Sequence, residues 1–373
     1  MMHKKFIVNP WEVRGDVDYE KLIKEFGVQP LSKELMEKIE RKAGEMHLYL
    51  RRGLFFSHRD FDAVMQDYER GKQFVLYTGR GPSGRTHLGH LIPWIFTAYL
   101  QKAFGSKLYF QMTDDEKFLM RNVGLDEAVG YSYDNALDVI ASGMEPGNTM
   151  IFSDVEYIKT IYRISLQIAK RVTFSTAKAV FGFKNSSNIG IIFFPAIQAS
   201  PAFMAQILEK KNVNCLIPCA IDQDPYWRIA RDVAPALGMP KPAGIYSKFL
   251  PGLQGVGGKM SASEEESAVY TTDSPAVARK KVMSAFTGGR ATVAEQKEKG
   301  GNPEVCVVHQ WLYYMFEDDD EKIRRFWDEC KGGKILCGEC KKYLADKVCR
   351  FLEEHQKRRE KARKEIDKFI VKD

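Results

Sequence analysis

Three short stretches of the sequence combine residue types that suit chemistry on phosphates. In His87-Leu88-Gly89-His90, two histidines stand three apart at the head of an apolar run, Leu88 to Phe104, that patterns as a helix. On the first helical turn they share a face with backbone N–H groups that carry partial positive charge, so the pair favours an anion. Gly89 between them lets a flat ring or a ribose approach the backbone. In Gly257-Gly258-Lys259-Met260-Ser261-Ala262-Ser263, with Lys259 lying 172 positions after His87, glycines and small hydroxyls flank a lysine that could fold over a polyphosphate. The third stretch, Gly79 to Thr86, reads G-x-x-x-x-G-R-T, close to a P-loop. There Pro82 removes a backbone donor and Arg85 stands where the lysine belongs, so the P-loop reading loses two working parts.

The elements around these stretches say how they are held. From Gln73 the chain opens a strand, loop and helix unit, and further apolar runs at Lys107 to Thr113, Thr149 to Asp154, Ile189 to Ser200 and Asn214 to Asp222 read as strands. Strands apolar on both faces and alternating with helices predict a Rossmann-like, doubly wound parallel α/β sheet. Ligands bind such sheets at the carboxyl ends of the strands. The polar clusters fall there, at Thr78-Gly79-Arg80, Asp114-Asp115-Glu116, Gln198 and Asp222-Gln223-Asp224. Residues 1–70 read as an N-terminal extension with a short extended start, a turn at Arg14-Gly15-Asp16, and an amphipathic helix to Ala43 with Ser32 as N-cap. Past residue 285 the glycines thin out and helical patterns dominate, which divides the chain into 1–70, a catalytic domain at 71–285 and an α-helical domain at 286–373.

Composition sets the outer limits. At 373 residues, 44% hydrophobic and 28% charged, the chain reads as globular with room for two domains. No run of about 18 uncharged apolar residues and no export signal is apparent, so a cytoplasmic protein without a membrane partner is expected. Seven cysteines then read as reduced thiols. Cys330, Cys337, Cys340 and Cys349 fall close together, and Cys337-Gly338-Glu339-Cys340 has the spacing of a zinc or redox site, but in a helical segment small buried hydrophobes account for them and no protein-held metal is expected. The net charge is +7, and residues 355–373 hold eight Lys or Arg against four Asp or Glu, which suits either a polyanionic partner or a solvated helix. The run Glu317 to Glu321 reads as a solvated helix start.

The two phosphate-directed stretches resemble the paired signatures of class I aminoacyl-tRNA synthetases, with Ala262 replacing the second lysine of the general motif. Together with "YTGRGPSG", "QMTDDEK", "FPAIQASP", "CLIPCAIDQDPYW", "FFSHRD" and "GGR" they resemble the tryptophanyl-tRNA synthetases of eukaryotes and archaea over nearly the whole chain. The resemblance implies ATP with Mg²⁺, L-tryptophan and tRNA(Trp) as partners, a homodimer, and an anticodon-binding role for the helical domain. It implies catalytic roles for His87, His90, Lys259 and Ser261, and ATP contacts from these together with Thr78, Gly79, Arg80, Gly89, Met260 and Ser263. Around tryptophan it places Tyr77, Gln111, Glu116, Gln198 and Gln223, and it offers Arg290 for tRNA, although Ala291 follows where an acidic anticodon contact is expected. The extension is expected to pack near the ATP site. A tyrosyl enzyme, or a synthetase-like scaffold without catalysis, is the competing reading.

Overall fold

The computed structural model describes residues 6–8, 13–15, 17–255, 260 and 265–373. Among them are nine strands: β1 (Ile7–Val8), β2 (Val13–Arg14), β3 (Gln29–Pro30), β4 (Phe55–Arg59), β5 (Phe74–Arg80), β6 (Leu108–Met112), β7 (Thr149–Ser153), β8 (Asn214–Ala220) and β9 (Ala243–Ser247). Seven form one sheet in the order β3-β4-β9-β8-β5-β6-β7. The five from β9 to β7 are parallel, and β4 and β3 add antiparallel strands beside β9. The chain winds from β5 outward through β6 and β7, then returns to the other side of β5 as β8. The switch point, where loops on either side part and leave a crevice, therefore lies between β5 and β8.

The parallel strands are apolar on both faces because both are covered. Leu76, Leu108, Ile151, Leu216 and Ile245 turn into one hydrophobic core with the Leu88–Phe104 helix, while Tyr77, Tyr109, Phe152, Ile217 and Tyr246 turn into the other. Each such side chain contributes roughly 1.5–3 kcal/mol on burial.

Ile189 to Ser200, expected as a strand, is a helix at Ile189–Ala199. Asn188 caps it by accepting a hydrogen bond from the Ile191 backbone at 2.9 Å, and helical turns continue to Glu209. A continuous apolar run cannot distinguish a buried helix from a buried strand, and this one is long enough for several turns. The uncharged stretch also has the length and hydropathy of a membrane span, contrary to expectation, but it is largely buried within the fold and packs on the helices Ile158–Ala169 and Asp224–Val233. Strands β4 and β9 had no sequence signal, and β8 continues through Pro218, whose carbonyl accepts from Thr78 Oγ1 at 2.9 Å.

The N-terminal region is joined to the sheet by β3 and β4. Its Lys33–Ala43 helix, capped by Ser32 as expected, packs on the Leu88–Phe104 helix. At the other end, the 29-residue helix Cys337–Glu365 packs on Pro275–Met283 and on Leu125–Ala141. Beyond it the chain lies along β7, with Ile151 N–H donating to Phe369 O at 2.8 Å and Val371 N–H to Ile151 O at 2.9 Å. The basic tail is thus partly inward-facing: Arg359 is buried and paired with Asp138 and Asp134. The acidic run is also divided. Asp319 caps the Asp320–Lys331 helix, whereas Glu317 is buried and accepts from Tyr343, which departs from a wholly solvated start.

Candidate active site

At the switch point the carboxyl ends of β5 and β8 open into a cavity of about 280 Å³. Thr78, Gly79 and Arg80 reach it from β5, and His87, Gly89 and His90 from the head of the following helix. Glu116, Gln198 and Gln223 reach it from three further elements, and Met260 closes one side. Lys259, Ser261 and Ser263 lie outside the described residues.

The helix head is built by backbone pairing. Leu88 N–H donates to Val269 O at 3.0 Å and Thr271 N–H to Thr86 O at 2.9 Å, so the strand-like piece following the lysine loop is sewn to the residues preceding the helix. His87 is the N-cap, and its ring stacks on that of His90 with centroids 3.5 Å apart. Between the histidines, a Cβ on Gly89 would crowd the His87 ring at 3.2 Å and come into contact with Met260 Cβ at 3.6 Å. The two phosphate-directed stretches therefore meet at Gly89 and Met260.

Arg80 is held beneath them. Its Nε donates to Asn135 Oδ1 at 3.1 Å and Nη1 lies 2.8 Å from His90 Nε2, while buried Nη2 has no hydrogen-bond partner among the described residues. His90 Nδ1 accepts from the His87 backbone N–H at 3.2 Å, so its ring is held between that N–H and the Arg80 guanidinium. Burial pulls the Arg80 pKa down to about 10, which leaves it cationic at neutral pH. A buried cation with an unpaired donor on a cavity wall is a strong attractor for an anion.

Tyr77 and Gln111, expected around the ligand, do not line the cavity and connect to it through Gln198, which does. Both are fully buried, and Tyr77 Oη donates to Gln198 O at 2.8 Å and contacts Gln111 Oε1. Gln198 comes from the Ile189–Ala199 helix, not from a strand end as expected, and its Nε2 donates to Tyr77 Oη at 3.2 Å. Gln111 Nε2 donates to both Asp154 oxygens, at 2.8 and 2.9 Å. Burial and the Asp115 and Asp114 carboxylates push Asp154 well above the usual carboxylate range, and burial raises Asp115 to about 7. Glu116 accepts from Thr113 Oγ1 at 2.9 Å and pairs with Lys117 Nζ at 2.7 Å.

Arg85 is engaged elsewhere, pairing with Glu265 and Asp273 and lying over the Tyr270 ring, so it offers nothing to a phosphate-cradling loop. Sequence reasoning assigned no role to Lys117, Lys248 or Asn135. Lys117 and Lys248 line the cavity, and burial lowers the pKa of Lys248. Lys117 ends the "QMTDDEK" block and could have been found there, whereas Asn135 sits mid-helix with no local signal.

Comparison with known proteins places the chain. Residues 69–353 match the family model described as tRNA synthetases class I (W and Y). The chain is 55% identical over 368 residues to the tryptophan–tRNA ligase of Thermococcus onnurineus, covering 98% of this chain and 94% of that one. It belongs to the tryptophanyl-tRNA synthetases of class I. Among solved structures, the Giardia lamblia tryptophanyl-tRNA synthetase superposes with a TM-score of 0.89 at 39% identity, covering 95% of this chain and 96% of that one. The enzyme of the hyperthermophilic archaeon Aeropyrum pernix gives 0.87 at 35% identity, covering 95% and 97%.

In this synthetase, Arg290 lies far along the chain from the cavity, in the turn after the Pro275–Met283 helix. Its backbone N–H donates to Gln296 Oε1 at 2.9 Å and its Nε to Gly300 O at 2.9 Å. The late cysteines group differently from the expectation. Cys349 stands apart, its Sγ 3.2 Å from Pro275 O, while Cys306, which the sequence reading left out, joins Cys330, Cys337 and Cys340.

Proposed function

We propose that the chain activates L-tryptophan with ATP, releasing pyrophosphate, and passes the aminoacyl group to the 3′-terminal ribose of tRNA(Trp) in cytosolic translation. The observation that carries this reading is the meeting of the two signature stretches at Gly89 and Met260 above a buried Arg80 whose Nη2 is unpaired. Attack of the amino-acid carboxylate on the α-phosphate needs no protein nucleophile. It needs reactants held in line and positive groups where charge develops on the phosphoryl oxygens.

His87, His90 and Arg80 take the triphosphate, with Thr78, Gly79 and Gly89 shaping its bed. Lys259, Ser261 and Ser263 draw off the departing pyrophosphate. The cationic lining fits a polyanion, and Mg²⁺ is expected to enter with ATP. Tyr77, Gln111, Glu116, Gln198 and Gln223 surround tryptophan; an acceptor for the indole N–H among them penalises phenylalanine by being left unpaired. The division at residues 70 and 285, the homodimer, and tRNA contact by the helical domain through Arg290 complete the reading.

Amino-acid-dependent exchange of labelled pyrophosphate into ATP tests it, run separately with tryptophan, tyrosine and phenylalanine. Exchange with tryptophan alone, lost in Lys259→Ala, is expected. Exchange with tyrosine would transfer the pocket to the sister enzyme that shares this family model, and exchange with none of the three would leave a non-catalytic scaffold.

A further inference from the structure

A row of polar side chains crosses the carboxyl ends of three neighbouring strands and ends at the cavity. Asp154 directly follows β7, Gln111 lies on β6, Tyr77 on β5, and Gln198 on the Ile189–Ala199 helix, where it lines the cavity. Gln111 Nε2 donates to both Asp154 oxygens, at 2.8 and 2.9 Å, so Oε1 is the end of the amide that meets Tyr77 Oη. Gln198 Nε2 in turn donates to Tyr77 Oη at 3.2 Å, and Gln198 Oε1 has no hydrogen-bond partner among the described residues.

Each link is given a direction by the one before it. A carboxyl group that accepts from Gln111 selects the N–H end of that amide. The Tyr77 hydroxyl then has one proton for two acceptors, Gln111 Oε1 and Gln198 O, so one acceptor is left over. Asp154 is a costly residue for this place: it and Asp114 are fully buried beside Asp115, and no cation acts on any of the three. Asp114 is occupied elsewhere, accepting from Ser132 Oγ at 2.9 Å and from the Val155 N–H at 3.2 Å. Asp154 is hydrogen-bonded to Asp115, and burial together with the two neighbouring carboxylates favours its protonated form. With that proton directed to Asp115, Asp154 still accepts from Gln111. A leucine at 154 would fill the same space without the electrostatic cost, but it would leave the Gln111 amide free to turn over.

We propose that Asp154 is a positioning residue for amino-acid selection: by fixing the direction of the Gln111–Tyr77–Gln198 chain, it makes that chain an acceptor toward the indole N–H of the ligand. The inference rests on the tryptophan reading above. An indole N–H only donates, so it is matched by a chain with a spare acceptor and opposed by one whose amide is reversed. Without Asp154, Gln111 can turn its N–H to Tyr77 Oη. Tyr77 then spends its proton on Gln198 O, and the spare oxygen of Gln111 points away from the ligand. Asp154 itself does not line the cavity and acts only through Gln111.

The test compares tryptophan with its benzothiophene analogue, in which sulfur replaces the indole N–H. The KM for tryptophan in pyrophosphate exchange and the Ki of the analogue are measured on full-length wild type, Asp154→Leu and Asp154→Asn. Wild type should favour tryptophan, and Asp154→Leu should lose about 5- to 150-fold of that preference, through tryptophan and not through the analogue. Asp154→Asn should keep it, because Oδ1 can accept from Gln111 while Nδ2 donates to Asp115. General damage to the pocket weakens both compounds alike, so an unchanged ratio in folded Asp154→Leu overturns the inference, as does a preference lost in Asp154→Asn. Should Asp154→Leu fail to fold, Gln111→Met takes its place by cutting the same chain: preference lost there and kept in Asp154→Asn supports the inference, and preference kept in Gln111→Met overturns it. Wild type that exchanges with tyrosine or with no amino acid would overturn the tryptophan reading itself, a result distinct from an unchanged ratio in a variant.

Discussion

Asn135→Ala removes a side chain that never touches the cavity yet should slow amino-acid activation. Its Oδ1 accepts from Arg80 Nε at 3.1 Å and its Nδ2 donates to Gly84 O at 2.9 Å. It is fully buried, so no water replaces either partner directly. A hydrogen bond to a charged group contributes about 1.5–3 kcal/mol. If that is felt where Arg80 meets developing phosphoryl charge, activation falls by about 10- to 150-fold. Pyrophosphate exchange at varied ATP and tryptophan should show the loss in kcat and in the ATP dependence, with KM for tryptophan little changed. A double-mutant cycle separates positioning from general damage: in an Arg80→Ala background, Asn135→Ala should cost almost nothing further. Two results would refute the reasoning. One is a single variant that folds normally and exchanges within about threefold of wild type, close to the noise of such comparisons; the other is a cycle in which both losses simply add.

Arg359→Met leaves the fully buried Asp138 without its guanidinium partner, and breaking a buried pair in this way costs about 3–5 kcal/mol; a loss of unfolding free energy in denaturant titration well below this would show the pair to be screened. His47 and His309 are held neutral by burial, each with its pKa lowered from 6.5 to about 4. The unfolded chain then binds protons first, so their contribution is complete above pH 6.5 and is lost as pH falls toward 4, by at most about 3 kcal/mol per group. Urea unfolding at stepped pH should show that decline, and His47→Gln should flatten it. Deleting residues 1–59 removes β3 and β4, exposes the edge of β9 and uncovers Phe96, whose ring stacks on that of Phe55; soluble protein with normal exchange after that deletion would show the extension to be dispensable.

The sequence carried the parallel core clearly because β5 to β8 are short runs apolar on both faces and bounded by turns, the pattern of strands in a sheet covered on both sides. It hid β9, whose five residues, Ala-Gly-Ile-Tyr-Ser, are too short and mixed to carry a period. It also misled at Ile189–Ala199, where uniform apolarity erased the difference between helix and strand. Site residues within local motifs were legible in the same way: the His87 and Gly89 stretch, Arg80, and Gln223. Asn135 was not, because it reaches the cavity only through Arg80, which is distant in sequence.

The helix that holds Asn135 makes a second connection. Leu125–Ala141 presents Asn135 to Arg80 and, three residues on, Asp138 to His355 and Arg359 of the long C-terminal helix, with His355 Nε2 2.9 Å from Asp138 Oδ1. Residues three apart share a helix face, so a shift of that helix cannot disturb one contact and spare the other. The long helix begins at Cys337, beside the Gly288–Arg290 turn, and makes this contact at His355 and Arg359. The rod between them spans about 30 Å. The head of the long helix and the guanidinium under the cavity are therefore joined by continuous packed structure, with the buried Arg359–Asp138 pair between them.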